Sequence, residues 1–110
     1  MNSKALIIGL TIGLALPLAA IPGIAQEKEK SSVDYGQRLF NDPTLGGSKN
    51  DKSCNSCHAG GKGLEKAGAH PKLVETINKC LVGPMEGQKI DGRSVEMRSL
   101  KMYIQSLAKP

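Results

Sequence analysis

Three residues near the middle of the chain, Cys54, Cys57 and His58, form the pattern C-x-x-C-H. Two thiols three residues apart can add to the two vinyl groups of one porphyrin, and this pattern is the attachment sequence of a c-type haem. The histidine after the second cysteine then lies under the iron and can serve as its proximal ligand. A C-x-x-C without this histidine is also compatible with a zinc site or a redox disulfide. The pattern therefore predicts one covalent haem c, attached through Cys54 and Cys57 and ligated by His58.

The first quarter of the chain predicts export. Lys4 precedes an apolar run over residues 5–25 that ends in small residues, which is the arrangement of a secretory signal peptide cleaved after Ala25. The run approaches the length of a membrane span, so an uncleaved N-terminal anchor is the alternative, although Pro17 and Pro22 disfavour a long helix. The predicted division is a signal peptide at 1–25, a charged linker at 26–32 and a single domain at 33–110.

The composition agrees with an exported domain built around a prosthetic group. The chain has 110 residues, and cleavage would leave about 85, below the size at which a core is comfortably self-sufficient. It contains one Phe, two Tyr and no Trp, so a buried haem would supply apolar mass that the side chains lack. Covalent haem attachment is completed outside the cytoplasm in bacteria. The predicted signal peptide and the C-x-x-C-H pattern therefore both indicate the periplasm.

Three amphipathic helices are predicted after the linker. Pro43 limits the first helix, and Pro71 and Gly83 bound the second. Ser94 is a suitable N-cap for the third. Their apolar stripes consist in turn of Val33, Gly36, Leu39 and Phe40; of Leu73, Val74, Ile77 and Leu81; and of Val95, Met97, Leu100, Tyr103, Ile104 and Leu107. A chain with these helices and no strand pattern is predicted to be all-α.

With these residues placed, the chain resembles a small class I cytochrome c over about residues 35–107. In that family the N-terminal helix carries a glycine and, four residues later, an aromatic residue, matched here by Gly36 and Phe40. An aromatic residue in the C-terminal helix is matched by Tyr103-Ile104. The resemblance implies that the first and last helices cross, while the helix between them and the loops wrap around one haem. A glycine at such a crossing permits close backbone approach.

Several residues are candidates for the distal iron ligand. In the family the ligand is a loop methionine between two helices, which makes Met85 the leading candidate, although the usual Met-Pro pair is absent. Met97 and Met102 lie in the last predicted helix, where methionines more often fill a core. His70 would give a bis-histidine iron, but it precedes a proline at a helix start. Cys80 would be a thiolate ligand, or else a small buried hydrophobe.

Cys80 also carries a second resemblance. The run from Ile77 to Cys80 (INKC) is similar to the haem domains of thiosulfate dehydrogenases and SoxA-type cytochromes, in which a cysteine after I-N-x can be the distal ligand. The chain between His58 and Cys80 is much shorter here than in those enzymes. This resemblance implies an alternative function, a haem enzyme or subunit of thiosulfate oxidation. A gas-binding haem sensor with an open distal site is a further alternative.

The leading functional prediction is a periplasmic one-electron carrier that is not an enzyme. The net charge is +5 and the pI is near 9.2, but an exported chain without basic and aromatic interleaving is a poor candidate for nucleic-acid binding. Redox partner proteins with acidic docking surfaces fit the charge better, as does an anionic membrane surface. The lysines expected near the haem are Lys49, Lys52, Lys62, Lys66, Lys72 and Lys79.

Overall fold

The computed structural model describes residues 29–108 and, before them, the single residues Gly9 and Gly13. The predicted signal peptide at 1–25 and the first part of the predicted linker therefore lie outside the described residues, apart from those two glycines. Four helices follow one another: α1 (Val33–Phe40), α2 (Cys54–Cys57), α3 (Leu73–Val82) and α4 (Val95–Ser106). Short 3-10 turns occur at Leu45–Gly47, Ala59–Gly61 and Ala67–Ala69.

The prediction of an all-α chain is confirmed, since residues 29–108 contain helices and turns but no strand. Within the same range no helix combines the length and the apolar character needed to cross a membrane.

The starts of α1 and α4 are each determined by a serine side chain that caps the helix. The Ser32 hydroxyl accepts the Tyr35 N–H at 3.0 Å, and the Ser94 hydroxyl accepts the Met97 N–H at 3.1 Å, so each serine satisfies a donor that the helix leaves free.

Helices α1 and α4 pack together with almost no space between their backbones. A methyl group built on Gly36 would lie 2.0 Å from the Ser99 carbonyl oxygen and 2.8 Å from Cβ of Tyr103. Only a residue without a side chain allows this approach. One helical turn along, the rings of Phe40 and Tyr103 meet edge to face, with centroids 5.1 Å apart. The glycine expected at the contact of these two helices therefore lies there.

The core continues from this helix pair into α3 and the loops. Its buried members are Leu39, Phe40, Leu45, Leu73, Ile77, Leu81, Met85, Met97, Leu100, Tyr103 and Ile104. They include three of the four stripe residues predicted for the second helix and four of the six predicted for the third. Val74 and Leu107 are half-buried and pack against this core, and Val95 is half-buried at the start of α4.

Helix α3 begins at Leu73, two residues after the predicted start at Pro71. Pro71 and Lys72 form a turn instead, because the Lys72 N–H donates to Nδ1 of His70 at 3.1 Å. The helix ends at Gly83, whose N–H donates to the Lys79 carbonyl at 2.9 Å. The stop predicted from Gly83-Pro84 is confirmed, and it turns the chain into the loop that carries Met85.

The end of the predicted linker lies against α1 and α4. The Ser32 N–H donates to the hydroxyl of Ser99 at 3.2 Å, and Nε of Arg98 donates to the hydroxyl of Ser31 at 3.1 Å. Glu29 forms an ion pair with Arg38 of α1. These polar contacts give the buried Ser99 hydroxyl a partner, which an apolar core would not provide.

Replacing Gly36 by alanine tests the contact of α1 with α4. We expect the Gly36→Ala protein to lose about 3 kcal/mol of unfolding free energy, since backbone atoms of α4 must move to admit the methyl group. Gln37→Ala, at the exposed neighbouring position, is the control and should change stability by less than about 0.5 kcal/mol. Thermal or denaturant unfolding measures both. Equal stability of the two variants would contradict the close contact of α1 with α4 at Gly36.

Candidate functional site

A cavity of about 280 Å³ opens between α2, α3 and α4. This volume is near the lower end of ordinary ligand pockets, which run from about 300 to 1,000 Å³. Most of the wall is apolar, with Phe40 from α1, Leu73 and Ile77 from α3, and Leu100 and Ile104 from α4. The remaining wall contains the side chains with chemistry: Cys54, Cys57, His58, Cys80 and Met85.

The C-x-x-C-H pattern folds as one helical turn followed by a tight reversal. The His58 N–H donates to the Cys54 carbonyl at 2.9 Å, which closes α2. The Ser56 hydroxyl accepts the Ser53 N–H at 2.9 Å at the start of this turn. The side-chain oxygen of Asn55 accepts the Gly60 N–H at 2.8 Å just beyond it. The residues between the cysteines thus hold the turn that presents both thiols and the imidazole to one cavity.

The chain after His58 fixes the orientation of its ring. Nδ1 lies 3.1 Å from the carbonyl oxygen of Lys62, a distance at which a protonated Nδ1 donates to the oxygen. Nε2 is then the nitrogen that carries the lone pair. An imidazole held this way by a backbone carbonyl is the usual arrangement of a metal-binding histidine. In this tautomer Nε2 would be the nitrogen available to a metal.

The loop after His58 is held against the last helix. Gly61 has a positive φ of 82°, and a methyl group on it would lie 2.4 Å from Cδ1 of Leu107. The backbone of the loop therefore packs directly on the end of α4. This contact links the position of the imidazole to the same helix that forms the apolar wall of the cavity.

Cys54, Cys57 and Cys80 are all free thiols. Burial raises the pKa of the Cys54 thiol to about 11, and the nearby sulfur of Cys80 adds to the rise, as does that of Cys57. A thiol with this pKa is neutral at pH 7. Cys80 lines the same cavity as Cys54, although 26 residues separate the two in the chain.

Met85 differs from the other distal-ligand candidates in being both buried and part of the cavity wall. Met85 is 3% exposed, and its N–H donates to the Cys80 carbonyl at 3.1 Å. Cys80 also lines the cavity but is exposed. The structure therefore brings two sulfur candidates, a thioether and a thiol, to the same end of α3.

The remaining candidates lie away from the cavity wall. Met97 is completely buried within the core, as expected for a helical methionine that fills space. Met102 is 37% exposed on α4. His70 is exposed, and its Nδ1 accepts the Lys72 N–H at the start of α3. Each of these three side chains has a structural role or a solvent-facing position.

The residues present fit a flat, apolar prosthetic group with a metal at its centre. Among residues 29–108 no cluster of three or more His, Cys, Asp or Glu side chains is arranged to hold a bare metal ion. Five candidate ligands and attachment residues line the cavity together with apolar side chains. Such a lining could hold a ligand that carries its own metal, with the thiols of Cys54 and Cys57 available for attachment and Nε2 of His58 for the metal.

Asn78, the second residue of the INKC run, positions the loop that carries Met85. Asn78 of α3 forms two hydrogen bonds with the backbone of Ile90, donating to its carbonyl at 3.0 Å and accepting from its N–H at 2.8 Å. The pair fastens the far end of the loop to α3. Sequence alone could not assign this role, because the partner is a backbone group twelve residues away.

Comparison of the chain with protein families, with curated proteins and with solved structures finds no match in any of the three.

Removing the Asn78 amide should loosen the loop that carries Met85. We expect Asn78→Ala to lower the free energy of unfolding by about 2 kcal/mol, since two hydrogen bonds of about 1 kcal/mol each disappear. Asn41→Ala is the matched control, because its amide donates to a single backbone carbonyl, that of Gln37, at the exposed end of α1. Denaturant unfolding compares the two. A loss for Asn78→Ala no larger than that for Asn41→Ala would contradict the role of the Ile90 contact.

Proposed function

We propose that this chain is a monohaem c-type cytochrome that carries single electrons between redox partner proteins outside the cytoplasm. One observation supports it above the others: both thiols of the C-x-x-C-H pattern, the oriented His58 imidazole and the buried Met85 all line one apolar cavity. The proposal includes the cytochrome c fold, in which the contact of α1 with α4 closes the domain beneath the haem. When bound, the haem iron supplies the chemistry by accepting and releasing one electron.

The side chains of this site would bind and shield the group without taking part in bond chemistry. Cys54 and Cys57 would hold its edge through thioether bonds. His58 would present Nε2 to the iron, since its Nδ1 is engaged by the Lys62 carbonyl. Met85 would present its sulfur to the iron. The contact of the His58 ring with Lys62 and the hydrogen bonds to the backbone of Met85 would restrain both residues, and the apolar wall would limit the access of water.

The charges around the cavity are suited to an acidic partner. All six lysines singled out in the sequence are exposed. Lys52, Lys66 and Lys72 directly precede the cavity-lining residues Ser53, Ala67 and Leu73. Charges placed near the edge of a redox site can raise the association rate with an oppositely charged partner by roughly 10- to 1000-fold at low salt. Fast, reversible docking benefits from such peripheral charge more than from buried contacts.

The ligand assignment can be tested on the exported holoprotein. Its mass should exceed that of the polypeptide by one haem, and the oxidised form should show the far-red absorption band of methionine-sulfur ligation. We expect Met85→Ala to abolish the band, because the variant removes the sulfur from the cavity wall. Cys80→Ser, which alters a second cavity residue, should retain it. Survival of the band in Met85→Ala would reject Met85 as the distal ligand.

The contribution of the lysines can be measured with a small anionic oxidant, hexacyanoferrate(III). Oxidation of the reduced Lys66→Glu/Lys72→Glu protein should be slower than that of the wild type by about tenfold at low ionic strength, and by much less in about 1 M salt, where charges are screened. Lys30→Glu/Arg93→Glu is the control, since it makes the same change in net charge at exposed residues that do not adjoin cavity-lining positions. Equal slowing of both variants would show that total charge, and not its placement, determines the rate.

The placement of Cys80 supports a second candidate, a role in the oxidation of thiosulfate or a related sulfur anion. Cys80 is an exposed thiol on the same cavity wall as Cys54 and Cys57. This function requires turnover of the sulfur anion by the holoprotein and its loss in Cys80→Ser. Turnover that persists in Cys80→Ser, or its absence in the wild type, excludes this role for the thiol.

A further inference from the structure

The loop that carries Met85 is also held by a chain segment that takes no part in the cavity wall. The segment is Gly46 to Asn50, part of the turn-rich stretch before the C-x-x-C-H pattern. Three hydrogen bonds join it to the loop: the Ser48 hydroxyl donates to the Met85 carbonyl, the Asn50 amide donates to the Pro84 carbonyl at 2.7 Å, and the Gln88 N–H donates to the Gly46 carbonyl at 2.7 Å.

These bonds complete the restraint on Met85. Its N–H is already bound to the Cys80 carbonyl, so with Ser48 both backbone polar groups of Met85 have partners. The next residue, Glu86, has a φ of 51°, a left-handed conformation that is uncommon for a residue with a side chain. Such a conformation persists where the surrounding contacts hold it. The loop is therefore held in place by its neighbours and not by its own backbone preference.

Ser48 and Asn50 also lie side by side. The Ser48 oxygen lies 3.2 Å from Oδ1 of Asn50, and that Oδ1 accepts the Lys52 N–H at 3.2 Å. Ser48 is buried and Asn50 is half-buried. Neither side chain lines the cavity. Both donate to carbonyls of the loop that does, those of Met85 and Pro84.

We propose that Ser48 and Asn50 are positioning residues that keep the Met85 sulfur at the iron and determine how easily another ligand displaces it. The inference rests on the proposed function, because it requires a haem in the cavity. When the loop opens, the two side chains lose their bonds to the Pro84 and Met85 carbonyls. Removing either bond therefore favours the open state, in which the distal side of the iron is free for a competitor.

Imidazole is a suitable competitor, and its binding is read from the loss of the far-red band in the oxidised holoprotein at constant pH. A competitor binds in proportion to the fraction of molecules that are open. One hydrogen bond contributes about a fivefold factor to that equilibrium. We expect Asn50→Ala and Ser48→Ala each to bind imidazole about fivefold more tightly than the wild type. Ser48→Thr keeps the hydroxyl and should bind it as the wild type does.

Two control variants remove the same kinds of group, an amide and a hydroxyl, at positions away from the Met85 loop. Asn41→Ala removes an amide that donates to the Gln37 carbonyl, and Ser106→Ala removes a hydroxyl that donates to the Tyr103 carbonyl. Both should leave imidazole affinity unchanged. If Ser48→Ala does not fold, Asn50→Ala decides the question, since its half-buried side chain can be removed without opening a hole in the core.

The possible results separate this inference from the function on which it rests. Unchanged affinity in Asn50→Ala, or the same gain in Asn41→Ala, overturns the positioning role and leaves the cytochrome proposal intact. A wild type with covalent haem but no far-red band overturns the Met85 assignment and the positioning role together. A wild type without covalent haem overturns the proposed function and this inference with it.

Discussion

The close contact of Gly36 with the backbone of Ser99 is the constraint on which the rest of the domain depends. It lets α1 and α4 meet without intervening side chains. The same two helices then direct Phe40, Leu100 and Ile104 into the wall of the cavity. Any widening of the helix contact would move this wall, so the shape of the site is set by a contact that contains none of its chemical groups.

The site itself is assembled from short turns that polar side chains close. Asn55 holds the reversal after the cysteines, Asn78 fastens the chain at Ile90, and Ser48 with Asn50 secures the Met85 loop. In the part of the chain that the structure describes, no buried side-chain nitrogen or oxygen lacks a hydrogen-bond partner. A domain with so few aromatic residues thus restrains its loops by hydrogen bonds to backbone groups, where a larger core would do so by packing.

Most of the helical framework could be predicted because its signals are local. The stop at Gly83 depends on its immediate neighbours and on Pro84. Ser94 caps α4 through a residue three positions away. The apolar stripe of α4 follows from the helical period. The 3-10 form of the turns could not be predicted, because LGG, AGG and AGA have no periodicity of their own. Their shape depends on contacts with distant residues, such as that of Gly61 with Leu107.

The sequence by itself determined the pair of thiols with its histidine and the all-α class, since each is expressed in neighbouring residues or in a helical period. Only the tertiary structure decided which distal candidates reach the cavity. Met85 and Cys80 line it, whereas Met97 is enclosed by the core and His70 faces outward. The physical reason is that burial and proximity arise between segments far apart in the chain. Composition and spacing report what a residue can do, and packing determines what it can reach.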